Sequence, residues 1–134
     1  MSDDNGNDKS ISLPLADQDQ PDEQPDSQYD GVLAQIDGVV NDNEIVLYMK
    51  GHPRQPMCGF SARAAQILAA YDRPFHSVNV LEDPEVRQGI KDYSDWPTIP
   101  QVYIDGEFVG GSDILMEMHE NNEIEPLIDK AFGE

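Results

Sequence analysis

The hydrophobic periodicity of the chain changes on either side of its single cysteine, and this change restricts the folds open to it. The run 44–50 is rich in β-branched and aromatic residues and is bounded by Asn43 and Gly51, which predicts a β-strand. Apolar residues from 59 to 70 recur at helical spacing, which predicts an α-helix. Cys58 is therefore expected where a loop enters a helix. Backbone N–H groups and the helix dipole stabilise a thiolate there, the form that attacks disulfides and binds metals.

The remaining patterns extend this unit into an α/β domain. The predicted elements are, in chain order, helix 29–40, strand 44–50, helix 59–71, strand 75–80, helix 84–93, strands 101–104 and 107–109, and helices 112–120 and 123–132. A right-handed β-α-β crossover makes the first two strands parallel, whereas the turn Asp105-Gly106 makes the last two antiparallel. Ser112 or Asp113 is expected to cap the helix that follows them. The sequence thus predicts helices around a mixed sheet.

Composition divides the chain at about residue 28. Residues 1–28 are predicted to form a disordered acidic tail, because they are rich in Asp, Gln, Ser and Pro and hold few large apolar residues. Residues 29–134 are predicted to form one domain, since a chain of this length has room for a single modest core.

The charge and the cysteine count exclude several classes of function. A formal net charge of −19 argues against nucleic-acid binding, which needs basic patches. The chain has no apolar run of about 18 residues, so we expect no membrane span. A polar, acidic N-terminus and one unpaired cysteine predict a soluble cytoplasmic protein. The acidity is interpreted either as a well-solvated surface or as adaptation to a salty cytoplasm.

Two segments expected near Cys58 each have two interpretations. Lys50 ends the first strand beside the thiol loop, either as a functional cation or as a lysine that extends its charge into solvent. In the segment 96–100, a proline directly precedes a strand and has no N–H. A cis bond before Pro100 would present the backbone N–H and C=O of Ile99 to a ligand, and an ordinary trans bond is the alternative.

Two further segments add candidate anion-binding groups. Gly110 and Gly111 allow close backbone approach before a helix whose first N–H groups suit a carboxylate, and a plain turn is the alternative. Arg87 suits bidentate carboxylate binding or a surface ion pair with Asp83. The three histidines lack metal-ligand spacing, so no metal site is predicted from them.

Taken together, these residues resemble a monothiol glutaredoxin of the class that carries the sequence Cys-Gly-Phe-Ser. The resemblance covers about residues 30–132, with few gaps, and leaves the N-terminal tail outside it. The matching segments are, in order, 49–51, Pro56, 58–61, 87–91, 96–100 and 106–111.

The resemblance implies a thioredoxin fold, with a four-stranded mixed sheet flanked by helices and with Pro100 in the cis form. It also implies that glutathione binds beside Cys58, held at its glycyl carboxylate, its cysteinyl backbone and its γ-glutamyl end. The residues that match these three roles are Lys50 and Arg87, then Ile99, then Gly111, Ser112 and Asp113. Relatives often have a second cysteine where this chain has Ser112, so an internal disulfide with Cys58 is excluded here.

In relatives of this class two subunits share one [2Fe-2S] cluster, ligated by two protein thiolates and two glutathione thiols, so Cys58 would supply one ligand per subunit. The leading hypothesis is a glutathione-bridged homodimer that stores the cluster or transfers it to apo-proteins. A BolA-like protein is a further candidate partner. The loop 51–57 favours the leading hypothesis, because it resembles the approach segment of cluster-binding relatives. The alternatives are a glutathione-dependent oxidoreductase that acts on protein mixed disulfides, and a glutathione-binding regulatory module.

Overall fold

The structure, a computed structural model, describes residues 19–134, with side chains from residue 29 onward. The chain divides into two units between Val32 and Leu33. Of the first unit the structure describes residues 19–32, which are helical. The second unit, Leu33–Glu134, contains the sheet and the candidate site.

The described residues form five α-helices and six short strands. The helices are α1 (Asp19–Asp42), α2 (Gly59–Ala69), α3 (Pro84–Ser94), α4 (Ser112–Glu120) and α5 (Ile124–Ala131). The strands are β1 (Ile45–Met49), β2 (Gly51–His52), β3 (Gln55–Pro56), β4 (His76–Asn79), β5 (Gln101–Ile104) and β6 (Glu107–Gly110). A 3-10 turn, Val80–Glu82, joins β4 to α3. Within residues 19–134, none of the helices combines the length and the apolar character that a membrane span requires.

Four strands form the central sheet, in the order β4-β1-β5-β6. β1 pairs in parallel with β4, whereas β5 is antiparallel to both β1 and β6. The parallel pair follows from the crossover through α2, and the antiparallel pair follows from the turn at Asp105 and Gly106, both at positive φ. The predicted mixed sheet and thioredoxin fold are confirmed.

β1 is an inner strand of the sheet, and all five of its residues are buried. Alternate residues of β1 and β5 face an apolar core shared with α2, α4 and α5. On the other face of the sheet, Tyr103 of β5 contacts Tyr93 of α3, with the ring centroids 5.9 Å apart. Burying each large apolar side chain contributes roughly 1.5–3 kcal/mol. Apolar burial therefore holds the strand from which the thiol loop leaves.

Two elements differ from the sequence-based predictions. Helix α1 begins at Asp19 rather than near residue 29. Four acidic residues in its first eight suit a helix N-terminus, where the dipole favours negative charge, so composition that indicated disorder is compatible with a helix. The prediction for 1–18 falls outside the described residues. The loop 51–57 contains the small hairpin β2–β3, which closes around a turn that begins with Pro53.

Candidate functional site

Cys58 lies where the hairpin β2–β3 meets α2. It is the N-cap residue of α2, with extended backbone angles (φ −161°, ψ 137°), and its side chain is partly exposed. The change of hydrophobic periodicity predicted this position. The first N–H groups of a helix lack partners within the helix, so the sulfur lies beside hydrogen-bond donors.

The Cys58 thiol has a pKa below its ordinary value. The largest cause is a hydrogen bond from the backbone N–H of Ser61. The backbone N–H of Phe60, the charge of Lys50 and the Ser61 hydroxyl act in the same direction, whereas burial opposes them. Because the thiolate is the nucleophilic and metal-binding form of cysteine, the site favours thiolate chemistry.

Hydrogen bonds fix the segment between β1 and the thiol. The backbone N–H of Lys50 donates to the buried hydroxyl of Ser61 over 3.0 Å, which joins the end of β1 to the start of α2. The N–H of Met57 donates to the Lys50 carbonyl over 2.9 Å. The N–H of Gly51 donates to the side-chain oxygen of Asn79, also over 2.9 Å. These contacts hold Lys50 close to the thiol.

Position 51 requires glycine. Gly51 has φ +92°, and a Cβ there would lie 2.5 Å from the carbonyl oxygen of Gln55 and 2.7 Å from the backbone nitrogen of Met57. Side chains rarely adopt this conformation. The close passage of the two strands of the hairpin therefore depends on the missing side chain.

A cleft of about 440 Å³ opens beside Cys58. Its lining includes every site residue predicted from the sequence: Lys50, Cys58, Arg87, Ile99, Pro100, Gly111, Ser112 and Asp113. Six further residues line it: Phe60, Lys91, Trp96, Pro97, Thr98 and Ile114. The fold thus brings four separate segments to the thiol, while the role of each residue stays a prediction.

One wall of the cleft is the loop 96–100. The bond between Ile99 and Pro100 is cis, as the resemblance implied, and both residues are buried. Pro97 and Thr98 are exposed. This wall therefore consists of two exposed residues, Pro97 and Thr98, followed by the two buried residues of the cis bond.

A second part of the lining is the start of α4. The prediction that Ser112 or Asp113 caps this helix was wrong, because Gly111 is the N-cap residue and no side chain caps the helix. The reason is a close approach of the backbone. A Cβ at Gly111 would lie 3.3 Å from the carbonyl oxygen of Pro100, so glycine takes the cap position. The first N–H groups of α4 are left without a side-chain acceptor and suit an anion.

Two buried polar atoms of the cleft residues have no hydrogen-bond partner in the described part of the chain. They are the indole nitrogen of Trp96 and the hydroxyl oxygen of Ser112. Buried polar atoms are nearly always paired, so an unpaired one needs an explanation. A polar ligand in the cleft would supply the missing partners, because the indole N–H can donate a hydrogen bond to it and the hydroxyl can donate or accept one.

The cleft concentrates positive charge in an acidic chain. Lys50, Arg87 and Lys91 line it, from a total of eight Lys and Arg residues, against the single carboxylate of Asp113. The alternative interpretation of Arg87, a surface ion pair with Asp83, does not occur in the described part of the chain. The Asp83 carboxylate instead accepts a hydrogen bond from the N–H of Glu85 over 3.0 Å and caps α3. The cleft therefore suits an anionic ligand.

Sequence reasoning missed part of the lining. Lys91 lies four residues after Arg87 on α3, so the same helix face carries both cations, and this spacing could have identified it. Phe60 and Ile114 follow predicted site residues closely, but their contribution depends on how the helices pack. The segment containing Trp96 was identified from the sequence, but nothing in the sequence indicates that its indole N–H is buried without a partner.

Comparison with known proteins gives a consistent answer. The family model described as Glutaredoxin matches residues 45–109. The chain is 51% identical to a ycf64-like monothiol glutaredoxin of Synechocystis sp. over 100 residues, which are 75% of this chain and 94% of the relative. It is 46% identical to Glutaredoxin 4 of Escherichia coli over 96 residues, which are 72% of this chain and 84% of the relative.

A solved structure supports the same assignment. The solution structure of reduced poplar apo GrxS14 is 48% identical and aligns with a TM-score of 0.67, covering 75% of this chain and 93% of that one. Sequence relatives, fold and a lone thiol at the start of α2 agree. The chain therefore belongs to the monothiol glutaredoxin family.

Proposed function

We propose that the cleft binds glutathione with its thiol beside Cys58. The single observation that carries this is the combination, in one cleft, of a thiol with a lowered pKa and an excess of cations. Glutathione is an anionic tripeptide with a thiol in the middle, so it needs charge complementarity at its ends and a sulfur-reactive centre. The unpaired hydroxyl of Ser112 supports the same ligand, because it can serve a polar group.

The proposed contacts follow the two ends of the tripeptide. Lys50 and Arg87 hold the glycyl carboxylate, since both are cations of the lining. Ile99 pairs with the cysteinyl backbone beside Pro100. The start of α4, with Gly111, Ser112 and Asp113, takes the γ-glutamyl end, where backbone N–H groups meet its carboxylate and the Asp113 side chain meets its ammonium.

We also propose that the protein and its bound glutathione together hold a [2Fe-2S] cluster. Such clusters need four soft ligands, usually thiolates, and this chain supplies one, Cys58. Among residues 29–134, no three His, Cys, Asp or Glu side chains come together in a way that could hold a metal. Two chains and two glutathione molecules give four thiolates. We therefore propose a homodimer bridged by glutathione, which stores the cluster or passes it to apo iron–sulfur proteins.

An apolar surface beside the thiol supports contact with another protein. Met57 and Phe60 flank Cys58, with 62% and 56% of their surface exposed. Large exposed apolar side chains next to a functional group are typical of interaction surfaces. A second copy of the chain would cover them in the loaded dimer, and an apo-protein or a BolA-like protein would cover them during transfer.

We propose that the protein acts in the cytoplasm.

A second candidate function follows from the lowered pKa of the thiol. The Cys58 thiolate would attack the glutathione sulfur of a protein mixed disulfide, forming a new disulfide while the protein thiolate leaves. The thiolate of a second glutathione would then attack the glutathione sulfur of this disulfide, which releases glutathione disulfide and restores the Cys58 thiolate. The two functions use the same cleft, so they differ in the product rather than in the residues.

Purification without oxygen separates the two functions. After reconstitution with iron, sulfide and glutathione, we expect visible absorbance, iron and acid-labile sulfide in equal amounts, and a dimer by analytical ultracentrifugation. Omitting glutathione should prevent assembly, because the cluster then lacks half of its ligands. A colourless monomer with rapid deglutathionylating turnover would favour the oxidoreductase, and no binding of glutathione by calorimetry would exclude both.

A further inference from the structure

Gln101 is a buried amide directly behind the cleft wall. It is the first residue of β5, follows Pro100, and has 0% of its surface exposed. Its neighbour in the strand, Val102, belongs to the apolar core shared with α2, so Gln101 faces the other side of the sheet. A buried amide costs free energy unless its hydrogen-bonding groups are paired.

Both ends of the Gln101 amide are paired. The side-chain nitrogen donates to the carbonyl oxygens of Trp96 and Thr98, over 3.1 and 3.2 Å. The side-chain oxygen accepts from the hydroxyl of Tyr103 over 3.1 Å. Because carbonyl oxygens only accept, the NH₂ group must face the loop and the oxygen must face the tyrosine. The orientation of the amide is therefore determined by its surroundings.

The loop that Gln101 holds has little backbone pairing of its own. Residues 96–100 belong to no helix or strand. The N–H of Trp96 donates to the carbonyl of Lys91, which ties the start of the loop to α3. Pro97 has no N–H to contribute. The carbonyls of Trp96 and Thr98 are therefore both held by one side chain, that of Gln101.

We propose that Gln101 is a positioning residue for the glutathione site. Its amide holds the loop 96–98, and thereby places Ile99 for the cysteinyl backbone, while the Tyr103 hydroxyl orients the amide. Gln101 is not one of the residues that line the cleft, so its side chain would act through the loop and not by contact with glutathione. This inference rests on the proposed binding of glutathione in the cleft.

The test is the affinity of the full chain for reduced glutathione, measured by calorimetry. Gln101→Met keeps the length of the side chain and removes its three hydrogen bonds. We expect about tenfold weaker binding, equivalent to about 1.4 kcal/mol. Tyr103→Phe removes only the hydroxyl that orients the amide and should weaken binding by about threefold, the size of one modest hydrogen bond.

The pH dependence of glutathione affinity in Gln101→Glu distinguishes a positioning role from a merely structural one. The ionised carboxylate cannot donate to the carbonyls of Trp96 and Thr98, whereas the protonated acid can donate one hydrogen bond. Relative to the unmodified chain at each pH, affinity should recover as the pH falls through the titration of Glu at position 101. Gln101→Met should show no such recovery.

Val102→Ala is the matched control, because it removes buried apolar surface from the same strand on the opposite face. It should lower the melting temperature and leave the affinity for glutathione unchanged. Equal weakening by Val102→Ala, or unchanged affinity in both Gln101→Met and Tyr103→Phe, would overturn the positioning role. An unmodified chain that binds no glutathione would overturn the proposed function, and the positioning role with it. If Gln101→Met fails to fold, Tyr103→Phe and Gln101→Glu decide the question.

Discussion

The two ends of helix α2 use positive charge in opposite ways. Arg73 follows the C-terminal end of α2, and its guanidinium carbon lies 4.7 Å from the centroid of the Phe132 ring. The same guanidinium pairs with the carboxylates of Asp129, over 3.5 Å, and Glu134. This cation therefore has three partners within the chain, and its role is to hold α5 and the residues after it.

At the N-terminal end of α2 the cations have no such partners. Lys50, Arg87 and Lys91 line one cleft, and none of them forms an ion pair with a carboxylate among residues 29–134. They have no carboxylate partner among the described residues, although the chain has more than three times as many acidic as basic residues. Paired cations therefore stabilise this fold, whereas the unpaired ones line the cleft in which we propose that an external anion binds.

Removing the thiol at the N-terminal end of α2 should have the largest effect. Cys58→Ser should abolish cluster assembly completely, because a hydroxyl is not a soft ligand. The melting temperature should stay nearly unchanged, since a partly exposed side chain contributes little packing. Iron content and thermal unfolding check both statements. A coloured Cys58→Ser dimer would contradict the ligand assignment.

The next largest effect concerns the cations of the cleft. Arg87→Ala should weaken the binding of glutathione by about tenfold at low salt, because a charge-assisted hydrogen bond is lost. The difference from the unmodified chain should shrink at high salt as screening grows. Calorimetry at two salt concentrations measures this, and Arg63→Ala, on the exposed part of α2 outside the cleft lining, is the matched control. Equal affinity at low salt would remove Arg87 from the site.

The opposite outcome is expected at the other end of α2. Arg73→Ala should lower the free energy of unfolding by roughly 1 kcal/mol, since exposed ion pairs and cation–π contacts are each worth that or less. Glutathione affinity should not change. Chemical denaturation and calorimetry on the same preparation test the two halves of the prediction. A loss of affinity in this variant would mean that the two ends of the helix are coupled.

The smallest effect is a shift in the pH dependence of the thiol. Because the fold lowers the pKa of Cys58, alkylation by iodoacetamide should rise with pH around a midpoint below that of the unfolded chain. The stability that the thiolate adds relative to Cys58→Ser is present above the pKa of the unfolded chain, and is lost as the pH falls through the folded-state pKa. Lys50→Ala should raise the midpoint, and Arg73→Ala should not move it.

Local patterns were enough to predict the framework of the site. The change of periodicity placed Cys58 at a helix start, and Asp105-Gly106 predicted the hairpin, because both depend on residues adjacent in the chain. The start of α1 was misplaced, since an acidic composition is compatible with disorder and with a helix N-terminus.

The chemistry within the cleft was only partly predictable. The predicted cap of α4 was wrong because the close approach of Gly111 to the Pro100 carbonyl depends on how the two ends of the β5–β6 hairpin pack together. The unpaired indole nitrogen of Trp96 and the buried amide of Gln101 depend on how the loop 96–100 packs, and single polar atoms carry no periodic pattern. Tertiary packing decides which of these groups are paired.

The chain contains a single tryptophan, and the fold places it in the cleft wall against Phe108, with the ring centroids 5.5 Å apart. Fluorescence from an indole responds to the polarity and hydrogen bonding around it. All of the emission from this protein that is selective for tryptophan therefore originates at the cleft. Titrations can be followed optically on the unlabelled chain, and quenching by a nearby chromophore would report the arrival of the cluster in real time.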